Sequence, residues 1–420
     1  MTDAATYHPR LADAYLRDLV ADFPAVMITG ARATGKTTTA LQHTSSIARL
    51  DQPGIAAAFR TDPDAALRRA PKPLLVDEWQ EVPEVLAAVK RAVDRDTAPG
   101  QFVLTGSVRA ELSNEMWAGT GRVVRMSMYG LTERELAGPL PTDQASFLSR
   151  LATSGLDSLV LPPQVPTIDD YVALALRGGF PEIAYRDRTD RSRRIWTSSY
   201  LDDLVTRDAA SVGHAKDPTK LRAYLNVLAL NNSGIPRDNT LYEAAGINAK
   251  TAASYDRLLE NLYILDLVPA WPLTTNRLKA LIKAPKRYLV DTALAATAAS
   301  VTADVLLNDA DLLGRFFDAF ATAQLRPELA LMDPRPRTYH LRTQGGRQEV
   351  DLVFDLGRGQ AIGLEFKAAS VVDKTDARHL FTMRDDLGDR FIAGAVLHSG
   401  PGMFELDDRV YAVPLCAIWS

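Results

Sequence analysis

Short apolar runs separated by amphipathic stretches characterise the N-terminal third of the chain. Runs of this kind cover residues 25–29, 48–51, 72–78 and 101–107. Each has the length of a buried strand, and residues 82–93 between the last two have apolar positions at helical spacing. Because strands and helices alternate, this part predicts a doubly wound α/β domain with a parallel sheet and right-handed crossovers.

Helical patterns replace this alternation in the middle of the chain. Residues 136–167 are rich in Pro, Ser and Thr and predict a linker with short helices, whereas 193–205 predict a long helix with a buried stripe. Two short helices then flank a turn at Gly246, which is typical of a helix-turn-helix, and two apolar runs after them predict the strands of a wing. The elements of this predicted winged helix are residues 221–228, 240–247, 249–259, 264–271 and 287–290.

Period-two alternation returns near the C-terminus. Residues 347–354 and 361–367 alternate apolar and polar positions and are joined by a glycine-containing turn, which predicts a β-hairpin. The pattern therefore divides the chain into four predicted parts. They are an α/β domain at 1–140, a linker and helical region at 141–215, a winged helix at 216–300 and a second α/β domain at 301–420.

Composition limits the classes of protein to consider. The chain has 420 residues, of which 46% are hydrophobic and 24% charged, so it can build several ordinary cores. The net charge of −4 gives no overall basic field, so contact with nucleic acid would need a local patch. The single cysteine, Cys416, excludes a disulfide framework and a cysteine-based zinc site within the chain. Because we find no signal peptide and no apolar run of membrane-spanning length, we expect a cytoplasmic protein without a membrane partner.

The first candidate for chemistry is the loop that follows the first strand. It reads Gly-Ala-Arg-Ala-Thr-Gly-Lys-Thr from Gly30 to Thr37, the pattern of a phosphate-binding P-loop. In such a loop, backbone N–H groups and the N-terminus of the next helix bind phosphate oxygens, the lysine reaches the β- and γ-phosphates, and the threonine hydroxyl ligates Mg²⁺. The predicted nucleotide-binding residues are Gly30, Ala31, Arg32, Ala33, Thr34, Gly35, Lys36, Thr37 and Thr38.

A later apolar strand ends in Asp77 and Glu78, the pair that a nucleotide hydrolysis site requires. We expect Asp77 to hold Mg²⁺ through water together with Thr37, and Glu78 to act as general base on the attacking water. At the end of the following strand, Thr105 or Ser107 is expected to sense the γ-phosphate, unless both only cap the strand. Lys36, Glu78 and Ser107 are the predicted catalytic residues at this site.

An arginine finger would stabilise the charge on the transferred phosphoryl group, but spacing alone does not locate it. Arg122 is our candidate for this fourth catalytic residue, and Arg109 and Arg207 are its rivals. The alternative for each is an arginine on a solvated surface.

A second set of candidate residues lies in the C-terminal hairpin. Asp351 is on its first strand, and Glu365 and Lys367 share one face of its second strand. Two carboxylates there can bind Mg²⁺, and the lysine can orient a water molecule. The Asp…Glu-x-Lys pattern resembles the PD-(D/E)xK nuclease fold, to which Asp318 on the preceding helix would add a third acidic group. The alternative is a retained fold in which carboxylates and lysine form a structural salt bridge.

Polar side chains on the predicted helix 249–259 are candidates for DNA contact. Lys250, Thr251, Ser254 and Arg257 are those that a major groove would meet. The same helix carries Asp256 and Glu260, and few basic residues lie nearby, so docking of a protein is the alternative. The predicted partners are thus DNA, through residues 240–260 or the C-terminal domain, or an unidentified protein.

Nearly the whole chain resembles one family, the bacterial and archaeal ATPases that have an N-terminal AAA domain of the AAA_14 type and a C-terminal DUF4143 domain. The matching residues are 30–37, 50–51, 62–63, 76–80, 82–83, 104–107, 178–182, 207–208, 289–292, 349–351 and 365–367. A glutamate directly after Asp77 and an additional strand between the two motifs resemble the AAA+ branch of P-loop ATPases, which implies ATP and Mg²⁺ as cofactors. In two departures, the loop begins Gly30-Ala31-Arg32 where Gly-Pro-Arg is usual, and Asp318 stands where Glu is usual.

The expected fold class is therefore α/β. It combines an AAA+/ASCE-like P-loop sheet, a helical linker with a winged helix, and a PD-(D/E)xK-like domain. The expected function is a Mg²⁺-dependent ATPase that couples its nucleotide state to the winged-helix and nuclease-like parts. Two alternatives stay open: an ATP-gated DNA nuclease, and a regulator of the toxin–antitoxin type that binds ATP without hydrolysis.

Overall fold

The computed structural model describes residues 7–108, 121–138, 140, 145–186, 188–209, 217–236, 238–272, 284–342 and 348–420. Arg109, one of the candidate arginine fingers, lies outside them. No helix within these ranges is long and apolar enough to span a membrane. The described residues fold into an N-terminal parallel sheet, a helical middle and a mixed C-terminal sheet.

The N-terminal sheet has five parallel strands in the order β2-β3-β4-β1-β5. They are β1 (Ala25–Thr29), β2 (Ser46–Arg49), β3 (Leu74–Asp77), β4 (Phe102–Gly106) and β5 (Val124–Ser127). Four of them were predicted from apolar runs, whereas β5 has only four residues, of which one is buried, and was not predicted. Strand β2 lies between the P-loop helix and β3 in the sequence, as predicted, and β4 lies in space between the P-loop strand β1 and the strand β3 that ends in Asp77.

Helices cover both faces of this sheet. They are α1 (Ala12–Asp22), α2 (Lys36–Leu41), α3 (Pro53–Thr61), α4 (Pro63–Arg69) and α5 (Val85–Arg95), with a 3₁₀ turn at Trp79–Glu81. Successive side chains of a strand point to opposite faces, and accordingly Met27 packs with residues of α3 to α5 while Val26 and Ile28 pack with α1 and α2. Burial on both faces explains why β1, β3 and β4 read as continuous apolar runs.

The middle of the chain is helical, as its sequence predicts. Its helices are α6 (Glu133–Leu136), α7 (Phe147–Ser154), α8 (Ile168–Arg177), α9 (Pro181–Ala184), α10 (Asp190–Asp203), α11 (Pro218–Leu230), α12 (Asp238–Ala244), α13 (Ala249–Asn261), α14 (Thr292–Ala299) and α15 (Ala303–Asn308). A π-helical turn, Leu204–Asp208, continues α10. The side chain of Asn248 accepts a hydrogen bond from Thr251 N at 2.9 Å and caps α13.

Two short strands follow α13 and pair with each other. Strands β6 (Leu265–Val268) and β7 (Lys286–Leu289) are antiparallel and form a ribbon, at the positions where the sequence predicts the strands of a wing. We call this pair the β6–β7 ribbon. Its second strand begins with Lys286, a residue that the sequence analysis did not single out.

The C-terminal sheet is mixed, with the order β12-β13-β11-β10-β9-β8. Its strands are β8 (Arg337–Arg342), β9 (Glu349–Gly357), β10 (Gln360–Lys367), β11 (Phe391–His398), β12 (Phe404–Asp407) and β13 (Val410–Pro414). Strands β9 and β10 form the predicted hairpin, and its two-residue loop has Arg358 and Gly359 at φ 54° and 77°, the left-handed pair of a type I′ turn.

Two helices sandwich this sheet. Helix α16 (Ala310–Glu328) shares a core with Phe354 and Ile362, whereas α17 (Arg378–Leu387) shares one with Val353 and Ala361 on the other face. Single 3₁₀ turns at Gly155–Ser158, Leu329–Leu331, Gly388–Arg390 and Leu415–Ile418 complete the described elements.

Helix α16 also reaches the N-terminal part of the chain. The side-chain oxygen of Gln324 accepts a hydrogen bond from Glu133 N at 2.8 Å. One turn later Glu328 forms a buried ion pair with Arg134. One helix therefore holds the C-terminal sheet against the segment that follows β5.

Candidate functional site

The P-loop has the backbone conformation that its glycines allow. Gly30 and Gly35 have φ of 150° and 95°, and helix α2 begins directly after Gly35. A Cβ at Gly30 would collide with the backbone carbonyl oxygen of Met128, the residue after β5. The loop is therefore packed against the strand next to β1 and has no room for a side chain at its first position.

Lys36 is buried inside this loop. Its side-chain ammonium donates hydrogen bonds to the carbonyl oxygens of Gly30 at 2.9 Å and Ala31 at 2.7 Å. Burial lowers the pKa of Lys36 to about 8, an effect that the nearby Glu78 and Asp77 oppose. A desolvated ammonium at this position gains strongly from an anionic partner, because little water competes for it.

Two threonine hydroxyls converge on Asp77 at the end of β3. Thr37 Oγ1, from the P-loop helix, and Thr105 Oγ1, from the end of β4, donate to the same Asp77 oxygen at 2.7 and 2.5 Å. The predicted magnesium pair, Thr37 and Asp77, is thus in direct contact. Of the two predicted γ-phosphate sensors, Thr105 reaches this centre, whereas Ser107 lines a small cavity beside Arg32.

We expect Thr105→Val, which keeps the shape of the side chain, to lower Mg²⁺ affinity or magnesium-dependent activity by about 10- to 100-fold. The change removes one of the two donors that orient Asp77. The measurement is the Mg²⁺ concentration that gives half-maximal nucleotide-dependent phosphate release. Thr61→Val on the exposed side of α3 is the matched control, and an equal response of the two variants would contradict this role.

Glu78 follows Asp77 in a left-handed backbone conformation, φ 54° and ψ 51°, which is unfavourable for a residue with a side chain. Its Oε2 accepts a hydrogen bond from the amide of Gln80. The turn is held in place by β4, because a Cβ at Gly106 would collide with the indole nitrogen of Trp79. The strained turn therefore fixes the backbone of Glu78 directly after Asp77, and the hydrogen bond from Gln80 restrains its carboxylate.

Arg10 binds a backbone carbonyl of the P-loop and was missed by the sequence analysis. Its guanidinium donates to the carbonyl oxygens of Thr34 at 3.0 Å and Tyr129 at 2.8 Å and pairs with Glu135 at 2.9 Å. No local pattern distinguishes this arginine, because its partners lie in distant parts of the sequence.

Arg32 links the P-loop to the helical middle. Its guanidinium pairs with Asp208 of the π-helical turn at 2.6 Å, and its carbonyl oxygen accepts a hydrogen bond from the hydroxyl of Tyr200 at 3.2 Å. Burial raises the pKa of Asp208, and the Arg32 charge opposes that effect. Single-turn π-helical segments occur frequently at functional sites.

Arg122 is not at the nucleotide site of its own chain. Arg122 precedes β5, so it lies near the amino-terminal ends of the parallel strands, whereas the P-loop follows the carboxyl end of β1. There it pairs with Asp94 at 2.9 Å. Its rival Arg207 is exposed and lies 3.7 Å from Asp203, next to the Arg32 partner Asp208. Neither arginine contacts the P-loop in the described contacts.

Comparison with protein families places the nucleotide site within a known domain. Residues 22–137 match the AAA domain family, 168–305 match DUF8612 and 313–418 match DUF4143, the last two being domains of unknown function. The chain carries an AAA domain and a DUF4143 domain. The AAA domain contains the P-loop, Asp77, Glu78 and Thr105 described above.

Similar proteins are known from mycobacteria and from solved structures. Two uncharacterised proteins, from Mycobacterium bovis and Mycobacterium tuberculosis, are each 27% identical over 96% of this chain and 83% of their own length. A Walker-type ATPase of Pyrococcus abyssi matches 71% of this chain and 97% of its own at 12% identity, with a TM-score of 0.42. The RuvB Holliday junction branch migration motor of Thermotoga maritima matches 64% and 90% at 19% identity, with a TM-score of 0.26.

The acidic residues predicted in the DUF4143 domain do come together. Asp351 on β9 and Glu365 on β10 border a cleft of about 500 Å³, with Asp318 of α16 and Lys367 at the same cleft. However, Lys286 of the β6–β7 ribbon lies between Asp318 and Asp351, and Lys367 forms no ion pair with them among the described contacts. Lys286, which was not predicted, therefore forms buried ion pairs with two of the three acidic residues that the sequence analysis considered for Mg²⁺.

The residues predicted to meet DNA are only partly available on the surface. Lys250 and Arg257 on α13 are exposed, and Thr251 and Ser254 are half-buried. Asp256 of the same helix accepts a hydrogen bond from the hydroxyl of Tyr224 at 2.7 Å. DNA contact by this helix stays a prediction.

Proposed function

We propose that the AAA domain is a Mg²⁺-dependent ATPase whose nucleotide state is transmitted to the helical middle and the DUF4143 domain. The observation that carries this proposal is the convergence of Thr37 and Thr105 on Asp77, with Glu78 fixed directly beside it. P-loop ATPases need this combination of a magnesium centre and an adjacent base.

Each residue has a distinct part in the proposed reaction. Lys36 would exchange its carbonyl partners in the loop for phosphate oxygens, and Glu78 would accept the proton of the attacking water. Thr37 and Asp77 would hold the magnesium ion, which when bound neutralises charge on the phosphates. Adenine as the base rests on the family resemblance alone.

The Lys36→Met variant tests nucleotide binding. Charged hydrogen bonds contribute about 1.5–3 kcal/mol each, so we expect the affinity for magnesium ATP to fall by about 10- to 100-fold. Calorimetric titration with magnesium ATP measures this change. Lys90→Met, which removes a half-buried lysine paired with Asp94 on α5, is the control and should bind like the wild type.

Phosphate release by the same proteins distinguishes the alternatives. Binding with release from the wild type supports the ATPase proposal, and binding without release, with or without DNA, indicates a regulator that uses ATP only as a ligand. If the folded wild type takes up no magnesium nucleotide, the proposal is wrong.

The contact between Arg32 and Asp208 supports coupling to the rest of the chain. Arg32 belongs to the P-loop, so a bound phosphate offers its guanidinium a second anionic partner in competition with Asp208. Exchange between the two partners would change the restraint on the π-helical turn and on α10, which ends in it. Ordering of segments around a γ-phosphate is a known means of such coupling.

The proposed responding elements are the helices and ribbon between Pro218 and Leu289, which we interpret as a winged helix, and the DUF4143 domain. The order α16-β8-β9-β10-α17-β11 favours the predicted nuclease-like fold for that domain. DNA cleavage is a separate matter from fold. Incubation of plasmid DNA with the wild type, Mg²⁺ and ATP tests the second candidate function, an ATP-gated nuclease.

A further inference from the structure

Lys286 is the buried cation of the DUF4143 cleft. Its side chain is only 4% exposed, and its ammonium lies 2.6 Å from Asp318 Oδ2 and 2.8 Å from Asp351 Oδ1. The two aspartates belong to α16 and β9, whereas the lysine comes from the β6–β7 ribbon. A single ammonium from outside the DUF4143 domain thus bridges the two carboxylates inside it.

The remaining carboxylate oxygens already have hydrogen-bond donors. Asp318 Oδ1 accepts from the hydroxyls of Tyr288 at 2.9 Å and Thr322 at 3.2 Å. Asp351 Oδ2 accepts from Phe366 N at 3.0 Å. Each of the four oxygens is therefore satisfied, and a divalent ion would have to displace Lys286 to reach both aspartates.

Glu365 borders the same cleft but takes no part in the Lys286 bridge. Glu365 is 4% exposed, and within the described ranges no hydrogen-bond donor reaches its Oε1. Burial, followed by the charge of Asp351, raises the pKa of Glu365. In the part of the chain that the structure describes, no group of three or more His, Cys, Asp or Glu is arranged to hold a metal ion.

We infer that Lys286 is a resident cation, which replaces a divalent metal between Asp318 and Asp351 and closes the acidic cluster of the DUF4143 domain to metal. The residues present therefore do not fit the Mg²⁺ that the nuclease-like pattern suggests. While the β6–β7 ribbon is docked, the ion pairs of Lys286 with Asp318 and Asp351 hold the ribbon against the DUF4143 domain. Metal-dependent cleavage would require Lys286 to leave.

The test is Mn²⁺ binding to the full chain in the absence of nucleotide, measured by electron paramagnetic resonance. All proteins carry Asp77→Asn, which removes the magnesium aspartate of the AAA domain from the measurement. We expect the Asp351→Asn substitution in this background to leave Mn²⁺ binding unchanged, because the cluster holds no metal. We expect Lys286→Met to gain one bound Mn²⁺, and the further change Asp351→Asn to abolish it. Lys367→Met, which removes a lysine at the same cleft but not the bridge, is the matched control and should gain none.

Two results would overturn the inference. One is bound Mn²⁺ that Asp351→Asn removes while Lys286 is intact, and the other is a folded Lys286→Met protein that gains no Mn²⁺. Circular dichroism establishes whether the variant is folded. If Lys286→Met does not fold, the inference is tested by comparing Mn²⁺ binding of the Asp77→Asn protein with and without Asp351→Asn, because both proteins keep Lys286.

Discussion

Glu78→Gln is expected to slow phosphate release from ATP by about 10²- to 10⁴-fold, the contribution typical of a general base. The amide has nearly the same shape as the carboxylate but cannot accept the proton of the attacking water. Binding of magnesium ATP should be retained, because Lys36, Thr37 and Asp77 are unchanged. Steady-state phosphate release at saturating ATP, together with a nucleotide titration, measures both quantities.

The matched control is Glu81→Gln, the same chemical change three residues later on an exposed side chain. It should hydrolyse ATP like the wild type. A Glu78→Gln protein that keeps the wild-type rate would show that another group activates the water, and would remove the strained turn from the proposed mechanism.

The largest effect on stability is expected from Arg134→Met. Arg134 and Glu328 are 7% and 1% exposed, and the second oxygen of Glu328 accepts a hydrogen bond from Phe147 N at 2.6 Å. Removing one partner of a buried ion pair leaves an uncompensated charge and costs about 3–5 kcal/mol. The free energy of unfolding from urea denaturation at pH 7 measures this loss. Arg95→Met, which removes an exposed arginine of α5 that pairs with Asp64 of α4, should change the free energy of unfolding little, since surface pairs contribute at most about 1 kcal/mol.

The loss should also depend on pH. Burial raises the pKa of Glu328, and Arg134 is the charge that opposes this effect. Without Arg134 the folded-state pKa rises further above the unfolded value, so protonation favours the folded variant. Arg134→Met should therefore recover stability as the pH falls from 7 towards the unfolded pKa of a glutamate, about 4.3, whereas the wild type should gain less. A constant difference between the two proteins over this range would argue against a charged Glu328.

The nucleotide site was largely predictable because its signals are local. Buried parallel strands give continuous apolar runs. The P-loop directly follows one of them, and Asp77 and Glu78 stand at the end of another. The choice between Thr105 and Ser107 was harder. The two positions would share a face of an extended strand, but β4 ends at Gly106, so Thr105 is directed at Asp77 while Ser107 lies beyond the strand.

The residues that were missed have partners far away in the sequence. Arg10 acts on the loop carbonyl of Thr34, Asp208 pairs with Arg32, and Lys286 joins Asp351. Such contacts depend on how the elements pack, and no short pattern around an isolated arginine or lysine reveals them. Strand β5 was missed for a related reason, since three of its four residues are not fully buried and leave no apolar run.

Helix α16 constrains how such proteins can be rearranged in evolution. It supplies Asp318 to the ribbon and Glu328 to the segment after the nucleotide-binding sheet, so both contacts are encoded far downstream of their partners. A recombination event that transferred only the N-terminal segment would inherit Arg134 without its counter-ion. We therefore expect the AAA and DUF4143 segments to be inherited together, rather than exchanged separately between proteins.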